Sequence, residues 1–558
     1  MPRGGVRWLG VLFALVVASC SGARGTGGPE GPPSAAEASR FLGQAAYGPT
    51  DAAISQVRAA GYSQWIDQQI VMSPPRSHLG DVDAKLAQLR LSNPGATLNP
   101  PDFYASYWRQ AVTGPDQLRQ RMKLALSEIF VISLVDSNVD VRGAASYYDM
   151  LGQNAFGNFR TLLEQVALHP TMGVYLTWLA NQKEDPATGR NPDENFAREV
   201  MQLMTIGVNE LAPDGTVRTD LSGRPLPTYT AADISGLAKV FTGYSYYAAN
   251  PTTGTFRGGS RVANDALIRA MIPYPQFHST GAKAFLGVTI PASSTPDPQG
   301  DLKIALDTLF NHPNVGPFIG KQLIQRLVTS NPSPGYVARV AAAFNDNGKG
   351  VRGDMAAVVR AILLDPEARG AADGANDGKL REPVVRLANW ARAFDAASAS
   401  GDWAIVSTSA NTSLGQSALT APSVFNFFRP GYSPPNTRVG GAGLVAPEAQ
   451  IVDEVTVAGY LNTMQSTIDG GIGTSRDVRS TYAAETALAN DVNALVDRMD
   501  LLLLSGRMSP GLRSRITGAV GAINLPTAAG AARTTALTNR AKLAVFMTMA
   551  SAEYLVQR

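Results

Sequence analysis

The stretch PDQLRQRMKLALSEIFVISL, Pro115 to Leu134, decides the fold. Leu118, Met122, Ala125, Ile129 and Ile132 recur at alternating steps of four and three, the spacing that lines one face of an α-helix. The second half is apolar nearly all round, so that end is expected inside the protein. Glu128 stands there as a lone acid, and a buried carboxyl needs either a partner or a proton.

The same period runs outward in both directions. It governs AAEASRFLGQAAYG, TDAAISQVRAAG and YSQWIDQQIV before this stretch, and NFRTLLEQVAL, TAADISGLAKVFTGY and DLKIALDTLFNHPNVGPFIGKQLIQRLV after it. PGYVARVAAAFNDNG, GDMAAVVRAILLDPEAR, REPVVRLANWARAF and RAKLAVFMTMASAEYLV continue it, with Gly and Pro at most ends. One region differs. GYSYYAANPTTGTFRGG and the following ALIRAMIPY predict a small β-hairpin turning around Pro251 to Gly254, and AFLGVTIPA predicts another short strand. Segments 398–413 and 431–445, rich in Gly, Ser and Asn, read as long loops. The expected fold is mainly α, a multi-helix globular body with a small β-hairpin excursion. A soft boundary falls between 365 and 380.

The first residues carry a targeting signal. Arg3 and Arg7 precede the apolar WLGVLFALVVA, Trp8 to Ala18, and small residues follow. This run is too short for the ~20 residues that a membrane span needs. Val17-Ala18-Ser19-Cys20 resembles a bacterial lipobox, in which the signal is cut before a cysteine that becomes lipidated; an ordinary signal peptide with a chance cysteine is the alternative. The expected organisation is a lipoprotein signal peptide over 1–19, lipidated Cys20 with a Gly/Pro-rich tether over 20–33, and a body over 34–558. Ser21 follows the cysteine, not the aspartate of inner-membrane retention, so an outer-membrane lipoprotein of the cell envelope is expected in a cell with two membranes. Cys20 is the only cysteine, which excludes disulfides and cysteine-held metals. Lys plus Arg number 48 against 45 for Asp plus Glu, which gives no electrostatic case for binding nucleic acid.

The chain lacks G-x-S-x-G, H-E-x-x-H, Walker and dinucleotide-binding strings. NDNGKG at Asn345 fails as a calcium loop because Lys349 and Ala356 fall at ligand positions, so it reads as a turn. With four histidines in all, no metal site and no cofactor is expected. His169 and His312 each precede a proline at a helix boundary and read as structural.

NPDENFAREVMQLMTIGV, Asn191 to Val208, carries the other conspicuous acid. Asn191 is placed as the cap, Pro192 at the first helical position and Glu194 as the closing member of a capping box. Phe196, Val200, Leu203, Met204 and Gly207 share a face, with Asn195, Arg198 and Gln202 opposite. Glu199 lies at the edge of the apolar face. It is either half of a buried ion pair with Arg198 that fixes helix packing, or an acid, base or ligand beside a pocket with Arg198 as an anion clamp.

At these residues the chain resembles the large bacterial family catalogued as domain of unknown function 1800. LLEQVALHPTMGVYL, NPDENFAREVMQLMTIGV, YTAADISGLAKVFTGY, HSTGAKAFLGVTIP, HPNVGPFIGKQLIQRLVTSNPSP and MASAEYLVQR form the ordered series that carries the resemblance, from about Ala36 onward. Asn195, Arg198 and Glu199 match the family block, while Val200-Met201 replaces the more usual Leu-Met. Many relatives carry W-H-N-H-F where this chain has LALSEIF, so no histidine–metal chemistry transfers to that helix. Relatives also read His-Asp-x-Gly-x-Lys where this chain has His278-Ser279-Thr280-Gly281-Ala282-Lys283; His278 and Lys283 remain and the acid is missing. The resemblance implies an envelope or secreted location and an exported hydrolase-like partner, but no established activity.

The leading expectation is a lipid-anchored helical binding or assembly component acting with another exported protein or an envelope polymer. SVFNFFRPGYSPPN, Ser423 to Asn436, with Arg429 at its centre, is a contact surface or a loop that packs its own aromatics. The rival is an envelope hydrolase, acting on glycosides or esters, that uses Glu199 with Glu128 or His278. A third reading is a carrier for a small apolar ligand, which requires a sizeable apolar pocket between helices. Asn195, Gln202, Lys283 and Arg429 are the candidate binding residues, and Glu199, Arg198, Glu128 and His278 the candidate catalytic ones.

Overall fold

Helices account for 53% of the structure and its sheets are all small and two-stranded, so the mainly α reading holds. The computed structural model describes residues 31–258, 264–371, 374 and 376–558. The signal segment, Cys20 and nearly all of the tether lie outside the described residues. Among the described residues, no helix is long and apolar enough to cross a membrane.

The Gln117–Ser127 helix is buried over its whole length, charged residues included. Those charges are answered by backbone and side-chain partners. Arg119 donates to the Gly152 carbonyl at 2.7 Å and Arg121 to the Arg326 carbonyl at 2.5 Å. Lys123 donates to His78 Nε2 at 2.8 Å; His78 Nδ1 lies 2.9 Å from Ser106 Oγ, which donates to Asp81 at 2.8 Å. Burial lowers Lys123 to about 8 and holds His78 well below the usual histidine range, so the imidazole is neutral and accepts from the ammonium.

One continuous apolar cluster runs from Ala38 to Tyr554. A small separate cluster joins Val131 to Ala421, Phe427 and Phe428. It seats two aromatics of the Ser423–Asn436 loop against the chain that follows Glu128, as in the self-packing alternative.

Tyr244–Ser245 pairs antiparallel with Ile272–Pro273, as the hairpin expectation requires. The tight turn around Pro251 to Gly254 does not form, because Thr252 caps a short helix over Thr253–Phe256 instead. Residues 259–263 of the connection lie outside the described residues. Lys283–Phe285 and Val288–Ile290 form a second hairpin. Its two-residue turn places Leu286 at φ 49° and Gly287 at φ 76°, the left-handed pair that matches strand twist. The Ala231–Val240 helix packs on this hairpin so closely that a Cβ at Gly236 would lie 1.8 Å from the Ala284 carbonyl oxygen. Lys379–Leu380 pairs with Val556–Gln557.

His169 and His312 each serve a helix start. Their Nδ1 atoms accept the backbone N–H of Thr171 and Asn314, both at 3.2 Å. Burial lowers His169 to about 3, which keeps the accepting lone pair available.

Candidate binding pocket and its buried charge network

The helix in NPDENFAREVMQLMTIGV begins later than its sequence predicts and ends sooner. It spans Asn195–Gln202, and Asn191 does not cap it. The Asn181 side chain accepts the Asp193 N–H at 2.9 Å and holds the chain before Glu194 out of helical geometry. Asp193 then takes the Asn195 N–H at 2.8 Å. At the far end the Gly207 N–H returns to the Met201 carbonyl at 2.9 Å, with Gly207 at φ 72°, the turn that glycine permits. Phe196, Val200 and Met204 are fully buried, and Phe196 stacks on Trp178 at 5.1 Å.

The Arg198–Glu199 ion pair does not form. Adjacent helical residues diverge by about 100°, and Arg198 turns along the exposed face to Glu194 at 3.3 Å. Glu199 is 6% exposed, and its Oε2 has no hydrogen-bond partner. Burial raises its pKa, opposed only by the charge of Arg198. Asn195 is exposed and donates to Thr177 at 3.3 Å.

His278 and Lys283 belong to a different place. His278 Nε2 and Lys283 Nζ lie 2.9 and 2.8 Å from the same Asp301 oxygen, and His278 Nδ1 donates to the Thr242 carbonyl at 2.8 Å. Burial would raise Asp301, but the hydrogen bonds from His278 and Lys283 outweigh it and hold the carboxyl low. Asp301, from the Pro298–Asn311 helix, thus supplies an acid to a loop whose own sequence lacks one. All three side chains are consumed by one another.

Glu128, Gln202 and Arg429 do come together. They line a cavity of about 450 Å³ where four segments meet. Glu128 and Ile129 follow the Gln117–Ser127 helix, and Gln202, Leu203, Gly207 and Val208 come from the chain turning at Gly207. Phe318, Gln322 and Arg326 lie at successive steps of four along the Val315–Leu327 helix, and Val424 to Gly431 supply the outer wall. The walls are mostly aromatic and aliphatic. Asn426 is left-handed at φ 65°, which an asparagine accommodates.

Beneath this cavity lies a charge network that the sequence did not reveal. Arg326 Nε is 3.3 Å from Glu128 Oε2, and Arg326 Nη2 donates to the Glu128 carbonyl at 2.8 Å. Gln416 donates to Glu382 at 2.8 Å and reaches Glu128 at 3.5 Å. Glu382 lies 3.6 Å from Lys379 and 3.8 Å from Arg121, and Lys379 is 2.9 Å from Glu448. Burial raises Glu128 well above the carboxylate range, and the charge of Glu382 adds to the effect. Burial would raise Glu382 too, but Lys379, a hydrogen bond from Glu128 and Arg121 together hold it down to about 2. The two glutamates are therefore coupled and titrate as a pair, with opposite shifts.

The missed residues left faint marks: Arg326 sits in the apolar run GKQLIQRLV, and Glu382 directly precedes the helix-starting Pro383. Neither could be linked to Glu128 from one sequence. Among the described residues, no group of three or more His, Cys, Asp or Glu side chains is arranged to hold a metal ion.

A model of the family described as protein of unknown function, DUF1800, matches residues 40–556. No curated protein and no solved structure matches the chain.

Proposed function

The chain belongs to the DUF1800 family, and from that premise we propose that it is an exported, lipid-anchored binding component of the cell envelope. Its working site is the cavity between the Val315–Leu327 helix and the Ser423–Asn436 loop. The observation that carries this reading is the cavity itself: about 450 Å³, walled by apolar side chains with a few amide and charged groups, the usual make-up of a ligand pocket. The anchor rests on the signal layout ending at Cys20. An exported partner protein, such as the hydrolase-like proteins implied by the family resemblance, would receive or deliver the ligand.

The pocket has a direct test. N-phenyl-1-naphthylamine, an uncharged apolar dye, is expected to bind saturably at one site with enhanced fluorescence. Leu203→Trp, which fills the cavity, should abolish that site and leave the far-UV circular dichroism unchanged. Dye binding that is absent, or equal in the two proteins, would sink the proposal. The anchor is read by fractionation: Cys20→Ser should move the protein from the membrane pellet to the soluble fraction, and an unchanged distribution would refute lipidation at Cys20.

A hydrolytic reading has one observation in its favour, the Glu128–Glu382 pair, in which burial raises one carboxyl and Lys379 and other neighbours hold the other low. Glycoside chemistry needs two carboxyls flanking the substrate. Of this pair only Glu128 lines the cavity, and Glu382 is fully buried. Glu199 does not line the cavity and His278 is held elsewhere. Binding is therefore the better-supported function.

A further inference from the structure

We propose that the pocket takes a single-chain amphipathic anion, an acyl chain ending in a carboxylate, with the chain inside and the head at Arg429. This inference rests on the pocket reading above and adds the charge and orientation of the ligand.

Three charged side chains line the cavity: Glu128, Arg326 and Arg429. The first two are buried and lie 3.3 Å from each other, so each faces a partner within the protein. Arg429 differs. It is exposed at the rim, its guanidinium lies 4.8 Å from the centre of the Phe425 ring, and no acidic side chain among the described residues pairs with it. Its backbone is fixed as well, because its N–H donates to Gln450 Oε1 at 2.9 Å. A cation held over an aromatic ring at the mouth of an apolar hole leaves its outward donors free for an anionic head.

The interior selects the other end of the ligand. Leu203, Val208, Phe318 and Val424 present hydrocarbon. Glu128 Oε2, Gln322 Nε2 and Asn426 Nδ2 are buried without hydrogen-bond partners, so they offer no accessible group to a polar head. Carrying a charge to that depth would cost desolvation with nothing to offset it. A head at the rim and a chain in the hole satisfies both ends. The upward shift that burial gives Glu128 agrees with this arrangement, since it disfavours a negative charge facing the ligand.

The test uses the purified full-length protein and competition for the bound naphthylamine dye. Decanoate is expected to displace the dye about tenfold more tightly than decanol, the ratio that a charge-assisted contact of this kind gives. Arg429→Gln should reduce that ratio to near one by weakening decanoate selectively, with decanol measured on the same variant as the reference. Acetate should not compete at any matched concentration. Equal displacement by decanoate and decanol in the wild type would overturn the assignment of an anionic head while leaving the pocket reading intact. Dye binding that neither compound displaces would overturn the acyl-chain assignment. A tenfold preference that survives Arg429→Gln would place the head elsewhere and overturn the orientation.

Discussion

Glu382→Ala is expected to lower the unfolding free energy by about 3–5 kcal/mol at pH 7, the cost of removing one member of a buried ionic network. Glu382 is fully buried and answers Lys379 at 3.6 Å, Arg121 at 3.8 Å and the Gln416 amide at 2.8 Å. Its loss takes away the carboxylate that Arg121 faces and leaves Lys379 with Glu448, both where water cannot reach. The sign of the pH dependence follows from the lowered pKa. In the unfolded chain the group titrates near ~4.3, and in the folded protein it is held at about 2. Its stabilisation is therefore fully present above the unfolded value and is lost as the pH falls through about 2. Urea unfolding of wild type and variant should show the largest gap at pH 7 and a shrinking one below pH ~4. A gap under about 1 kcal/mol at pH 7 would mean that the network is not ionised as described.

Gly236→Ala is the second large effect, and two rules oppose each other there. Helix propensity alone favours alanine over glycine in a helix interior by about 1 kcal/mol. Sterics forbid it, because the new Cβ would lie 1.8 Å from the Ala284 carbonyl oxygen, 2.7 Å from its carbon and 3.1 Å from the Ala284 nitrogen. Backbone cannot swing aside as a side chain can, so the helix must lift from the hairpin. Overpacking of this kind costs about 3 kcal/mol at its upper end, and sterics win. For a chain this long each kcal/mol moves the melting temperature by only about 1 °C, so denaturant midpoints are the better readout. A variant as stable as wild type would contradict the close packing of helix on hairpin.

Local chemistry made the helices legible, and its limits explain the rest. The step of four and three from Leu118 to Ala125 reports burial of the Gln117–Ser127 helix because the pattern and the structure share one period, whereas Ile129 and Ile132 continue the spacing past the helix's end. Glu128 was legible as an anomaly for the same reason. Its partners were not, since Arg326, Glu382 and Gln416 lie some 200 to 290 positions away and nothing local marks which acid meets which base. The start of the Asn195–Gln202 helix was misplaced for a related reason. Asn191-Pro192-Asp193-Glu194 has the composition of a cap, but Asn181, ten residues upstream of the cap position, claims the Asp193 backbone first. Arg198 and Glu199 looked like a pair because they are neighbours in sequence, and neighbours on a helix point apart. The composition of the Ser423–Asn436 loop offered a contact surface or a self-packing loop, and its division between the two was not legible: Phe427 and Phe428 anchor it, and Phe425 and Arg429 face the cavity.

The pairing of Lys379–Leu380 with Val556–Gln557 has a consequence for the order in which the protein is completed. Gln557 donates to the Leu327 carbonyl at 2.8 Å, at the end of the helix that carries Arg326. During synthesis, Glu128 leaves the ribosome long before Arg326, the Gln416 amide comes later still, and the strand that fastens this floor comes after all of them. The hydrogen bond that this strand gives the end of the Arg326 helix is therefore among the last to form. Contacts of such long sequence separation delay the rate-limiting closure until nearly every residue is available. For the exported form proposed above, that delay would let the cavity close on the far side of the membrane, when the thread has passed.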